Sequence, residues 1–264
     1  MSEASAAQVK KLLKKITAFA RRCEDVILRS HQRTDLQIIS YGTMVRSRRL
    51  VEAMRPLSPA WLYEGRLLLR GSFELCFNYS WIRLQPVRRA NRFMRFQVLE
   101  ELNILREWPP ELKTAKFKAE YRRLIQRRSE LRHLFRRRNR QGKLEWARDW
   151  AGRSLEARIR EIEKRKPHDQ ITDVAYGLYR WLSNGAHGGP QSLGAVLSPT
   201  RFGLRPKSQP ELTQAPVLTA MGTLLLGVLS HAARDLNFSD GMKKELARLR
   251  VQILKASGLE PEDS

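Results

Sequence analysis

Between Trp61 and Ile82 the chain carries apolar side chains on nearly every side of a helix: Trp61, Leu67, Leu68, Leu69, Phe73, Leu75, Phe77, Tyr79, Trp81 and Ile82. A helix that is apolar all round cannot face water and has to be enclosed by other elements. Ser58-Pro59 supplies its start, because serine caps free amides and proline fits the first helical turn. This feature predicts an all-α fold, an irregular multi-helix bundle around a central apolar helix at about 60–84.

The rest of the chain agrees. Apolar residues recur at helical spacing from Ala6 to about Gln32 and from Asp35 through Met54, where Pro56 ends the pattern. Further helices are expected over Val87–Glu107, Glu111–Asn139, from Ser154 to Lys164, over Ile171–Asn184 and over Ser239–Lys255. No segment alternates with the period of a strand, and Gln191–Pro210 reads as loop. The expected organisation is an N-terminal helical segment (1–57), a core helical domain (58–237) and a C-terminal helix with an acidic tail (238–264), packed as one unit.

Ala215–Ala233 is 19 residues without a formal charge. Its length allows a membrane span, and its Pro, Thr, Ser and His content suits a buried core helix. The N-terminus shows no basic stretch followed by an apolar one, so no signal peptide is expected and the location is expected to be cytoplasmic. Cys23 and Cys76 are too few for a disulfide framework.

Lys and Arg number 50 against 27 acids, a formal net charge of +23. Such an excess points to a polyanionic partner: RNA, DNA or an anionic membrane surface. It is concentrated between Lys113 and Lys143, which hold 13 bases and two acids. Arg122, Arg123, Arg127, Arg128, Arg132, Arg136, Arg137, Arg138 and Arg140 are the candidate nucleic-acid-binding residues, since a guanidinium can give phosphate two parallel hydrogen bonds. The alternatives are a solvated helix face or a membrane-surface helix.

Two further groups carry chemistry. Arg66, Arg70, Glu74 and Asn78 follow one another at four-residue steps and share a face of the central helix. They read as a buried polar network, or as the lining of a pocket. Arg180 and His187 are seven apart, close to two helical turns, with Asn184 between them. Arginine to hold phosphate charge and histidine for proton transfer make a metal-independent ribonuclease pair. Alternatively, His187 caps the helix and Arg180 pairs with Asp173. No glycine-rich phosphate loop, metal-type Cys/His spacing or Gly-x-Ser-x-Gly elbow occurs, so no cofactor or metal is expected. His31, His133, His168 and His231 are scattered and read as structural or surface residues.

The order of Arg70-x-x-x-Glu74, Trp150-Ala151-Gly152 and Tyr176-x-x-Tyr179-Arg180-x-Leu182-Ser183-x-x-x-His187 resembles a bacterial all-helical family of unknown function, number 5677. More distantly, Arg180-x6-His187 is similar to the Arg-x(4–6)-His pattern of the HEPN superfamily. That resemblance implies a metal-independent endoribonuclease of a toxin or phage-defence system, acting as a homodimer on RNA. Trp181 stands where those nucleases carry a polar residue after the arginine, which leaves Asn184, one turn on, as the candidate substitute.

Overall fold

A computed structural model describes residues 6–27, 33–58, 62–109, 111, 114–165, 179, 197–200, 203–206 and 214–256. Numbered in chain order, the described helices are α1 (Ala6–Ile27), α2 (Asp35–Met54), α3 (Leu62–Arg83), α4 (Pro86–Arg106), α5 (Ala115–Glu130), α6 (Arg132–Phe135), α7 (Leu155–Arg165), α8 (Gln214–Asp235) and α9 (Asp240–Ala256). Two small antiparallel hairpins join them: β1 (Arg136–Arg138) with β2 (Leu144–Trp146), and β3 (Leu197–Thr200) with β4 (Gly203–Pro206). The protein is an all-α multi-helix bundle.

Helix starts follow local chemistry. Thr34 Oγ1 accepts from the Gln37 amide at 3.3 Å and Gln37 Oε1 accepts from the Thr34 amide at 3.1 Å, a reciprocal cap for α2. Thr114 and Ser154 cap α5 and α7 the same way through their hydroxyls. Pro86 opens α4, where its missing amide costs no hydrogen bond. Asn237, at φ 52°, ends α8 in left-handed geometry, and the Phe238 amide reaches back to the Ala233 carbonyl at 3.0 Å.

The core runs from Val9 in α1 to Ile253 in α9. α3 packs against α2, α4, α7 and α8, while α8 packs against α1, α2, α3 and α9. The centre of the bundle is therefore shared between the two most apolar helices. α8 is long and apolar enough to cross a membrane by composition, yet Leu218, Met221, Val228, Leu229 and Ala232 are completely enclosed by its four neighbours. Neither Cys23 nor Cys76 is part of a disulfide. Burial pushes the Cys23 thiol up to about 12 against the opposing charge of Arg22, while Cys76 is half-buried beside Gly227.

Two expectations are corrected. The long basic helix is broken: α5 ends at Glu130, α6 is a single turn, and Arg136, Arg137 and Arg138 form a strand. Asn139 supplies the reason. Its Oδ1 accepts from the amides of Gln141 and Lys143, each at 3.0 Å, and Gly142 at φ 77° lets the chain reverse. Second, the stretch read as loop over Gln191–Pro210 contains the β3–β4 hairpin, whose four paired positions are too few to show alternation. Ser58-Pro59 as a helix start falls partly outside the described residues. Of the helix expected over Ile171–Asn184, Tyr179 alone is described, in helical conformation.

Candidate nucleic-acid interface and polar cleft

The polar stripe of α3 does not close on itself; it reaches across to α7 and to Tyr179. Arg70 Nε donates to Glu74 Oε1 at 3.1 Å, one turn further on. Glu74 Oε1 also accepts from the Tyr179 hydroxyl at 3.2 Å. The Tyr179 ring lies along Phe73, with centroids 5.9 Å apart, and the Arg70 guanidinium sits 5.7 Å from its centre. Asn78 Oδ1 accepts from Arg158 of α7, whose Nη2 lies 3.7 Å from Asp149. Arg66, at the start of the stripe, is buried.

Arg70 and Glu74 keep 23% and 39% of their side chains exposed, so this is a half-buried polar cluster rather than a sealed core pair. Burial lowers the Arg158 pKa, and the nearby Asp149, Glu74 and Tyr179 oppose that shift. Arg180, Asn184 and His187 lie outside the described residues, as do His31, His168 and Asp173.

The basic face is built on α5, α6 and the β1–β2 hairpin. Arg122, Arg123 and Arg127 are exposed on α5, Arg132 on α6, Arg136–Arg138 on β1 and Arg140 in the turn. Arg123 pairs with Glu120 at 2.5 Å, and Arg128 lies over the Trp146 ring at 5.1 Å. Arg138 donates to the Gly142 carbonyl at 2.9 Å. Arg127, Arg132, Arg136 and Arg140 form no ion pair with any described residue. Phe135, fully buried, anchors the hairpin, and the Ala147 amide bonds the Phe135 carbonyl at 2.8 Å.

Asp149-Trp150-Ala151-Gly152 joins the two regions. On the side of the polar cluster, Arg158 lies over the Trp150 ring and faces Asp149. On the hairpin side, the Arg137 guanidinium rests on Gly152, where a Cβ would fall 2.3 Å from Nη1. Gly152 also holds φ at 63°, the left-handed geometry that favours glycine, whereas the exposed Arg137 side chain can swing away from a Cβ. Arg92 of α4 ties the assembly together: Nε donates to the Trp150 carbonyl at 2.5 Å, Nη1 to the Leu134 carbonyl at 2.7 Å, and the guanidinium stacks on Phe135. Sequence reasoning missed Arg92 because its acceptors are backbone carbonyls 42 and 58 positions away, which leave no trace in residue type.

A second buried network was also missed. Tyr79 donates to Asp235 and contacts Ser40, both at 2.6 Å, and Arg83 Nε reaches both oxygens of Asp235 at 3.0 Å. His231 places Nδ1 2.8 Å from Arg83 Nη1 and Nε2 2.9 Å from Ser80 Oγ. A guanidinium only donates, so Nδ1 accepts and Nε2–H points at the serine. That tautomer cannot take a proton from Ser80, so the array is a lock among α2, α3 and α8. Burial, reinforced by Asp235, raises the Tyr79 pKa.

Among the described residues no group of three or more His, Cys, Asp or Glu side chains is placed to hold a metal ion. The molecule is thus an arginine-rich helical bundle with a half-buried polar cluster joined to an exposed basic hairpin. Its residues 37–203 match the model of a family of unknown function (DUF5677), and the chain belongs to that family. The match takes in the polar stripe, the arginine hairpin and the Trp-Ala-Gly bridge between them. No curated protein and no solved structure matches the chain.

Proposed function

We propose that this protein binds RNA through the basic face of α5, α6 and the β1–β2 hairpin, and cleaves it without a metal. The observation that carries the binding is the set of exposed arginines, Arg127, Arg132, Arg136 and Arg140, that no described carboxylate neutralises. Uncompensated guanidiniums this close along the chain repel one another, and a phosphate chain relieves that repulsion while releasing its own counterions. Arg122, Arg123, Arg128, Arg137 and Arg138 extend the same surface.

The cleavage step rests on the resemblance of Arg180-x6-His187 to the HEPN pattern, which brings with it a toxin or phage-defence setting and action as a homodimer. In that reading the 2′-hydroxyl of the substrate attacks the adjacent phosphorus and the bond to the 5′-oxygen breaks. A 2′,3′-cyclic phosphate and a 5′-hydroxyl result. His187 transfers the proton, Arg180 holds the phosphate charge, and Asn184 positions the strand. Supporting this reading, Tyr179, one residue before Arg180, is held by Glu74 in the polar cluster, and that cluster shares the Trp150–Gly152 bridge with the basic face.

The test is incubation of the purified protein with mixed RNAs in EDTA. Cleavage that His187→Ala abolishes, with RNA binding retained, supports the full reading. Salt-sensitive binding without cleavage reduces the protein to a binding module, and cleavage unchanged in the variant rejects the assigned residues.

A further inference from the structure

Where α4 hands over to α5, three aromatic rings form a ladder near the surface. Trp108, 41% exposed, lies 5.6 Å from Phe117 by ring centroids, and Phe117 lies 6.1 Å from Tyr121 with the two planes 7° apart. Beside the ladder opens a cleft of about 390 Å³ lined by Leu105, Arg106, Phe117, Lys118, Tyr121 and Arg122. Its walls are apolar and aromatic, its charged members are all cations, and none of the six is an acid. Arg106 Nε approaches the Tyr121 hydroxyl at 3.4 Å and holds the rim in place.

Rings that served only to pack α4 on α5 would bury their faces. Trp108 instead stays open to water, and Ile104, one turn before it, is 58% exposed. An open ring beside a volume of this size, with three cations around it, fits a flat aromatic group joined to an anion. An unpaired nucleotide has that composition, whereas a duplex keeps its base faces stacked internally. Arg122 of the lining is also one of the exposed arginines of α5.

We infer that this cleft is a stacking subsite for an unpaired base of single-stranded RNA, with Arg106, Lys118 and Arg122 taking the flanking phosphates. The inference rests on the RNA reading above and narrows it to single strands. Phe117 and Tyr121 supply the ring faces inside the cleft, Trp108 extends the ladder at its exposed end, and the three cations set the strand's path past them.

The experiment compares binding of a short oligouridylate with binding of the same strand annealed to its complement, for the whole protein and for Trp108→Leu and Phe117→Leu. Leucine keeps an apolar contact and removes the π face. The single strand should bind at least about tenfold tighter than the duplex, and each substitution should weaken it about tenfold while duplex affinity and melting temperature hold. If Phe117→Leu fails to fold, the exposed Trp108→Leu decides alone. Salt-sensitive binding with no preference for the single strand, or with no effect of Trp108→Leu, overturns the subsite and leaves the RNA reading standing. Absence of binding to either form overturns both.

Discussion

The Tyr179 hydroxyl and the Arg70 guanidinium converge on one oxygen of Glu74, at 3.2 and 3.1 Å. Glu74 therefore accepts from its own helix and from a residue 105 positions later, and this joins the polar stripe of α3 to the segment that precedes Arg180. Tyr179→Phe should cost about 0.5–1.5 kcal/mol, the net worth of one hydrogen bond. Combined with Glu74→Gln in a double-mutant cycle by urea denaturation, it should show a coupling of at least about 0.5 kcal/mol. Additive losses would mean that the contact contributes nothing of its own.

Glu161 provides a pH-dependent test. Burial opposes its charge, but hydrogen bonds from Arg89 at 2.6 Å and from the Trp81 indole at 2.7 Å hold its pKa below the usual 4.5. A carboxylate depressed on folding contributes its full stability above 4.5 and loses it as pH falls through the folded value. Glu161→Ala should cost about 3–5 kcal/mol near neutrality, because Arg89 is left buried without its partner. The gap in melting temperature between the two proteins should shrink steadily as pH is lowered below 4.5.

Two glycines of α8 should respond in opposite directions. A Cβ at Gly222 would fall 2.8 Å from Leu13 and 3.1 Å from Ile253, both fully packed, whereas one at Gly227 would meet the Cys76 sulfur at 3.5 Å. Gly227→Ala should stabilise by about 0.5–1 kcal/mol through reduced backbone freedom in the unfolded chain. Gly222→Ala should destabilise by up to about 2 kcal/mol, since overpacking exceeds the same gain. Urea denaturation of both variants measures the difference directly.

What the residues alone revealed follows from how far each signal reaches along the chain. The apolar runs at α3 and α8 repeat over several turns, so their helical state and burial were readable. Ser154 acts within three positions of itself, so the start of α7 was readable, whereas the Thr114 cap was passed over and α5 was expected from Glu111. The arginine run misled because arginine is a good helix former and continues the stripe of Phe117, Tyr121 and Leu124 without interruption. The reversal depends on Asn139 and Gly142, and the strand partner arrives only at Leu144–Trp146. Arg66, Arg70, Glu74 and Asn78 follow one another at four-residue steps within α3, but the partners Arg158 and Tyr179 are contributed by later segments. Arg92, Gly152 and the Tyr79–Asp235–His231 lock depend on tertiary approach and leave no periodic mark. The ribonuclease trio Arg180, Asn184 and His187 lies outside the described residues.

The central claim is that uncompensated arginines on α5, α6 and the hairpin hold RNA. The most direct measurement is equilibrium binding of a single-stranded RNA across a salt series, for the native protein and for the variant with Arg127, Arg132, Arg136 and Arg140 all changed to Gln. Log K should fall against log salt, and because each phosphate contact contributes about −0.7 to the slope, the fourfold variant should show a slope shallower by about 3 along with a lower affinity at low salt. Binding that ignores salt, or a slope unchanged in the folded variant, would contradict the assignment of this face to RNA.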